Sequence, residues 1–159
     1  MSLDTVKTFL AANAPDLSVI ELEESTATVA LAASAHNVEA GQIAKSLSLR
    51  VNDQVIVIVT RGDARLDNKK FKAQFGVKAK MLGAEDVLAH TSHPVGGVCP
   101  FGLPEAVSVF CDVSLQAFEE VLPAGGAINA AVRLSPQRMA QLVNAQWVDV
   151  AQAQVLQEA

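Results

Sequence analysis

Apolar positions at the amino terminus recur at helical spacing. Leu3, Val6, Phe9 and Leu10 share one side of a helix, with Ser2 or Asp4 able to cap its start and Pro15 beyond its end. Residues 18–22 predict a short strand. A second helix runs from Ser25 through Ala35, where His36 falls at its end and Asn37 can take the left-handed conformation that stops it. Residues 38–47 read as another short helix carrying Ile43, Lys45 and Leu47.

Periodicity then changes. Residues 46–51 and 54–60 read as two strands separated by the turn pair Asn52-Asp53, and Val55-Ile56-Val57-Ile58-Val59 is β-branched throughout. An unbroken apolar run of this kind predicts burial on both faces, as in a central strand covered by helices. Arg61-Gly62-Asp63 is a turn, Asp67 caps a helix that ends at Gly76, residues 77–81 form a short strand, and residues 83–90 a further helix. Residues 107–113 return as a buried strand. Ser114 caps a helix over 115–122, Gly125-Gly126 opens a long strand through Leu134, Ser135-Pro136 starts a helix, and residues 147–150 close the pattern as a strand. The expected fold class is mixed α/β (α+β): a single domain in which six to seven strands form a mixed, curled sheet surrounded by about six helices.

One stretch fits neither period. Residues 93–104 read His-Pro-Val-Gly-Gly-Val-Cys-Pro-Phe-Gly-Leu-Pro, with three glycines and three prolines, which excludes regular helix and central strand. Twelve such residues exceed the usual connection length, a mark of functional loops.

Composition sharpens this picture in two ways. Aromatics make up only 4% of the 159 residues and Tyr is absent, so the core must be built from Val, Leu, Ile and Ala. No charged segment precedes an apolar run at the amino terminus and polar residues break every long apolar tract, which predicts neither signal peptide nor membrane partner. Cys99 and Cys111 have no metal-type spacing and read as free thiols suited to a reducing cytoplasm. The net charge of −5 speaks against a general nucleic-acid coat protein and against DNA as partner. Yet seven of the twelve cationic residues (Arg61, Arg65, Lys69, Lys70, Lys72, Lys78 and Lys80) crowd between positions 61 and 80 against two carboxylates, a local +5. This is either a solvated lysine-rich helix or a place where a phosphate backbone is met.

Few residues offer chemistry. Lys45 sits among apolar neighbours at the expected helix–strand junction, where an ammonium group is paired, shifted, reserved for an anionic ligand, or snorkels to water. Gly96, Gly97 and Gly102 let backbone N–H groups approach a ligand closely and hold a carbonyl or developing oxyanion, while Pro94, Pro100 and Pro104 stiffen the loop. Neither GxGxxG nor GxxxxGK[ST] is present, so the loop is no phosphate fingerprint. Cys99 with His93 or His90 forms an alternative nucleophile–base pair. Three scattered histidines without HExxH or paired CxxC spacing predict no metal site and no cofactor.

Read together, four blocks resemble the YbaK family, the prolyl-tRNA-synthetase-associated editing domain. They are Ser25-Thr26-Ala27-Thr28-Val29 leading to Gly41-Gln42-Ile43-Ala44-Lys45-Ser46-Leu47; Gly62-Asp63-Ala64-Arg65-Leu66-Asp67 with Lys69-Lys70; Gly96-Gly97-Val98-Cys99-Pro100-Phe101-Gly102; and Gly125-Gly126 through Leu134-Ser135-Pro136. The resemblance implies hydrolysis of the ester joining an amino acid to transfer RNA, without a metal and without a covalent enzyme intermediate. It implies that Lys45 engages the terminal phosphate or ribose and that the amides at Gly96 and Gly97 bind the ester carbonyl. Ser46, Val98, Gly102, His93 and Asn129 would line the aminoacyl pocket, and Arg65, Lys69, Lys70 and Lys72 would touch the transfer RNA. The partners implied are the acceptor end of a mischarged transfer RNA, of the proline type, and an aminoacyl-tRNA synthetase. The chain departs from the family pattern at His93-Pro94, where many relatives carry an aromatic residue, and at Ala124-Gly125-Gly126-Ala127, where alanine-selective relatives carry His-Pro. The same residues also suit a non-catalytic module that sequesters charged transfer RNA or docks on a synthetase.

Overall fold

Six consecutive β-branched residues, 55–60, form the middle of strand β3 (Gln54–Arg61) in the computed structural model, which describes residues 2–153. All six are buried, because the strand has layers on both faces. Val57 and Val59 point into the larger core, beside Val6 and Leu10 of helix α1 (Ser2–Asn13), Phe101, Val132 and Met139. Ile56 and Ile58 point the other way, towards Leu49, Phe71, Val148 and Val150. The period-two alternation of a strand divides one apolar run between two cores.

Strand β2 (Ile43–Val51) pairs antiparallel with β3 over eight residues, from Ala44 opposite Arg61 to Val51 opposite Gln54. Asn52, in the left-handed region at φ 55°, turns the hairpin. On its far side β3 pairs parallel with β5 (Ser108–Asp112), which pairs parallel with β8 (Gln146–Val148). β2 pairs parallel with β6 (Leu122–Pro123) through Ile43 and Ala44 only. The mixed sheet has the order β6-β2-β3-β5-β8. Two small pieces extend it: β1 (Ile20–Glu21) with β7 (Ala130–Ala131), and β4 (Ala64–Leu66) with β9 (Ala151–Ala153).

The helices start and stop on local chemistry. Thr28 accepts from the Leu31 N–H to begin α2 (Val29–His36), and Asn37 at φ 57° ends it. Asp67 and Gly76 bracket α3 (Asn68–Phe75), and Gly83 and Ser92 bracket α4 (Ala84–Thr91). Ser135 caps α5 (Pro136–Leu142), with Pro136 in its first turn. Among the described residues no helix is long and apolar enough to cross a membrane.

Several expectations are corrected. Residues 38–47 are not a helix: a 3-10 turn, Ala40–Gln42, leads directly into β2, and Lys45 lies within the strand. Pairing along β3 outweighs the helical propensity of this short segment. Residues 77–81 alternate like a strand, yet only Met81 finds a bridge partner, Leu49. Ser114 is not a cap; buried Asp112 accepts its N–H and starts a 3-10 helix, Val113–Ala117. Gly126 at φ 95° breaks the expected long strand at 125–134, leaving β7 as its ordered part. The strand count among the described residues is therefore nine, six of them no longer than three residues, with five α-helices and two 3-10 helices.

Candidate functional site

β6 is too short to cover β2. Beyond Ala44 the outer edge of β2 has no strand partner until Leu49 meets Met81, although the Leu82 N–H reaches the Ser48 carbonyl. A cavity of about 270 Å³ opens over this gap. Its floor is Ile43, Ala44, Lys45, Ser46 and Ser48 of β2, and one wall is Val29, Ala32 and His36, spaced three and four apart so that they share one face of α2. Met81, Leu82 and Val87 close one end, Leu122, Ala124, Ala130 and Ala131 another, and the loop residues Val95, Gly96 and Val98 close the top.

Lys45 is half-buried, and its ammonium donates to the Ala64 carbonyl of β4. Burial pushes its pKa below the ordinary lysine value, partly offset by Asp63. Asp63 is itself engaged by Arg61 through two hydrogen bonds, Nε to Oδ1 at 2.5 Å and an amino nitrogen to Oδ2 at 2.9 Å. The Arg61 guanidinium also stacks 4.8 Å over the Phe118 ring, and it holds the Asp63 carboxyl below its usual pKa. Arg61 thus satisfies Asp63, and Lys45 is left with a neutral carbonyl as its hydrogen-bond partner. A half-buried cation so placed on a cavity wall is equipped for an anionic or strongly polar ligand.

Gly96 lies against the amino-terminal end of α2: a methyl group on it would stand 3.0 Å from the Ala27 Cβ, and its φ is +88°. Neither the Gly96 nor the Val98 N–H has an acceptor among the described residues. Gly97 differs, because its N–H donates to the Pro94 carbonyl at 2.9 Å and its Cα presses on the Ala127 backbone. It supports the loop from behind and does not line the cavity.

Of the residues the sequence singled out, the structure brings Lys45, Ser46, Gly96 and Val98 together on one cavity. It places Gly102 elsewhere, at φ +67° against Thr5, on the wall of a separate depression beside Phe9 and Leu103. Asn129 donates to the Leu22 carbonyl at 2.7 Å and straps the β1–β7 pair. His93 is fully buried, with Nδ1 on the Ser2 hydroxyl and Nε2 3.0 Å from the Phe101 carbonyl. Arg65, Lys69, Lys70 and Lys72 are exposed on β4 and α3, and Lys70 is paired with Asp149 at 3.1 Å.

The Cys–His alternative is removed by the same geometry. Cys99 Sγ is 3.7 Å from His93 Nε2, but the thiol is fully buried and burial pushes its pKa up to about 12, so it stays protonated and out of reach of a substrate. A backbone carbonyl at Nε2 means that nitrogen carries the proton, so Nδ1 accepts from Ser2 and no lone pair remains for a thiol. His90 does not line the cavity. Among the described residues no three His, Cys, Asp or Glu side chains converge as metal ligands.

Sequence reasoning missed His36 and Ser48 as wall residues. The readable signal for Ser48 was the alternation Ser46-Leu47-Ser48-Leu49 within the strand expected over 46–51, which does not by itself tell that the strand's outer edge is left bare.

The model of the aminoacyl-tRNA editing domain matches residues 23–142, which contain every element of this cavity. The chain belongs to that family. It is 46% identical to the uncharacterized protein YwhH of Bacillus subtilis (strain 168), over 94% of this chain and 97% of that protein. An 82-residue stretch, half of this chain, is 29% identical to 14% of the proline–tRNA ligase of Bacillus cytotoxicus. Among solved structures, a candidate trans-editing enzyme for prolyl tRNA synthetase superposes with a TM-score of 0.87 at 31% identity, covering 96% of this chain and 98% of that one. The hypothetical protein APE2540 superposes with a TM-score of 0.86 at 30% identity, covering 93% and 99%. The mixed α/β fold of this editing domain is thus the fold of the structures it matches.

Proposed function

We propose that this editing domain is a trans-acting aminoacyl-tRNA deacylase, hydrolysing the ester between a wrongly attached amino acid and the terminal ribose of a proline-type transfer RNA. The observation that carries this reading is the sharing of one cavity by Lys45 and by Gly96 and Val98, whose N–H groups have no acceptor among the described residues. Water adds to the ester carbonyl, and negative charge develops on the carbonyl oxygen. Backbone donors aimed at that oxygen stabilise it; a single such donor is worth roughly 10²–10³ in kcat. The acyl C–O bond then breaks, the ribose oxygen leaves with the proton the water gives up, and the free amino acid departs. Lys45 stands where the ribose and its phosphate enter, and the vicinal ribose hydroxyl orders the attacking water.

The proline-type substrate rests on the similarity to two proteins, a proline–tRNA ligase and a candidate trans-editing enzyme for prolyl tRNA synthetase. A synthetase that hands over the charged acceptor end is the matching partner. The two buried free thiols fit a reducing compartment, the cytosol, where this substrate is made.

Lys45→Ala tests the reading directly. Incubated with labelled mischarged transfer RNA, the variant should lose at least about 10²-fold in deacylation rate while its circular dichroism and melting curve stay close to wild type, since only one half-buried side chain is removed. Full retained activity removes the proposed role of Lys45. If the wild-type protein binds the charged transfer RNA and leaves the ester half-life unchanged, the domain is a sequestering module.

A further inference from the structure

Three polar atoms on the cavity wall have no hydrogen-bond partner among the described residues: Ser46 Oγ, Ser48 Oγ and His36 Nε2. Ser48 is the most deeply placed, with 5% of its surface exposed, whereas Ser46, two residues nearer the mouth on the same strand face, is half-buried. The cavity is lined mostly by apolar residues, among them Leu82, whose N–H donates to the Ser48 carbonyl, and Val87. A hydroxyl orphaned in such surroundings is destabilising unless a bound group completes it. His36, on the α2 wall, is held below its ordinary pKa by burial and by Arg133, so its open nitrogen belongs to a neutral ring.

Lys45 and Ser48, three residues apart, alternate to opposite faces of β2, yet both line this cavity at its open edge. An aminoacyl ester held there with its side chain reaching inward meets Ser48. An alanyl group would seal Ser48 Oγ against a methyl and leave it unpaired. A seryl or threonyl group would bring its own hydroxyl to the same point.

Resting on the deacylase reading above, we propose that Ser48 makes this cavity selective for esters of hydroxylated amino acids, seryl or threonyl, over alanyl. A site that hydrogen-bonds a substrate hydroxyl discriminates strongly against the analogue lacking it, whereas a purely apolar pocket separates neighbours weakly.

The test compares seryl- and alanyl-tRNA of the proline type as substrates, and the amide-linked 3′-seryl and 3′-alanyl aminoadenosines as non-hydrolysable probes in calorimetry. In the wild type the seryl-to-alanyl ratio of kcat/KM should be at least about tenfold, and the amides should show the same preference in Kd. In Ser48→Ala both ratios should fall to about one. A wild-type ratio near or below one, or a ratio unchanged by Ser48→Ala, overturns the proposal while leaving deacylation itself standing. Selective, Ser48-dependent binding of the seryl amide with no hydrolysis of either ester overturns the deacylase reading and upholds the selectivity. If the protein neither cleaves the esters nor binds the amides, both fall.

Discussion

His93 shows how a residue with catalytic credentials becomes a structural one. Its ring accepts a hydrogen bond from the Ser2 hydroxyl at Nδ1 and donates one to the Phe101 carbonyl from Nε2, joining α1 to the glycine-rich loop across 91 residues of sequence. Burial holds its pKa below the ordinary histidine value, with the Phe101 bond offsetting part of the shift. The folded ring is therefore neutral at pH values where the unfolded ring, with a pKa of about 6.5, becomes charged. The unfolded chain then binds more protons, so stability is complete above about pH 6.5 and is lost as pH falls below it, by up to about 1.4 kcal/mol per pH unit. Urea denaturation between pH 7.5 and 5.5 should show this decline, and His93→Gln should flatten it while lowering stability at pH 7.5. His36 has the same sign and leaves a smaller residual slope in the variant. An undiminished decline in His93→Gln would assign the effect elsewhere.

At the scale of elements, the glycine-rich loop is placed by what stands behind it. Gly97 brings the loop onto the Ala127 backbone, where an added methyl would stand 3.1 Å from three main-chain atoms. Main chain cannot swing aside, so Gly97→Val should displace Gly96 and Val98 and their amides. The expected result is a fall of about 10²-fold or more in deacylation, the sensitivity typical of a displaced reacting geometry, with a melting temperature lowered by only a few degrees. Retained activity with the same loss of stability would separate the loop's position from the chemistry. The sequence made this loop conspicuous because glycine and proline forbid regular structure, and it made β3 conspicuous because β-branched runs have one comfortable conformation. Gly96, the left-handed Asn37 that ends α2 and the Asp67 and Gly76 that bracket α3 were readable for similar reasons: each is fixed by chemistry within a few residues. What stayed hidden depends on distant partners. Asp112 accepts the N–H groups of Val150 and Ala151, at 2.7 and 3.1 Å, from nearly forty residues away. Ser48 became a wall residue only because β6 stops after two residues and leaves its neighbour's edge bare.

The whole molecule sets an acidic body against one basic band. Of the cations between positions 61 and 80, Arg61 belongs to Asp63 and Lys70 to Asp149, whereas Arg65, Lys69, Lys72, Lys78 and Lys80 are exposed with no carboxylate partner among the described residues. The band also adjoins the cavity at both ends. Arg65 follows Ala64, whose carbonyl holds Lys45, and Lys80 precedes Met81 and Leu82 on the cavity wall. A phosphate backbone lying along this band would be led to the reacting end, while the rest of the acidic surface repels it. Such contacts act through counterion release, and each lost contact reduces the salt slope of binding by about 0.7 for a single strand to 0.9 for a duplex. Lys69→Ala with Lys72→Ala should therefore flatten the dependence of log KM on log salt by about 1.5. At low salt KM should rise roughly tenfold with kcat preserved, and the variant should approach wild type as salt increases. Steady-state deacylation measured across a potassium chloride series reads both quantities. A variant that lost kcat at unchanged KM, or kept the wild-type slope, would move the transfer-RNA path off α3 and onto another face of the domain.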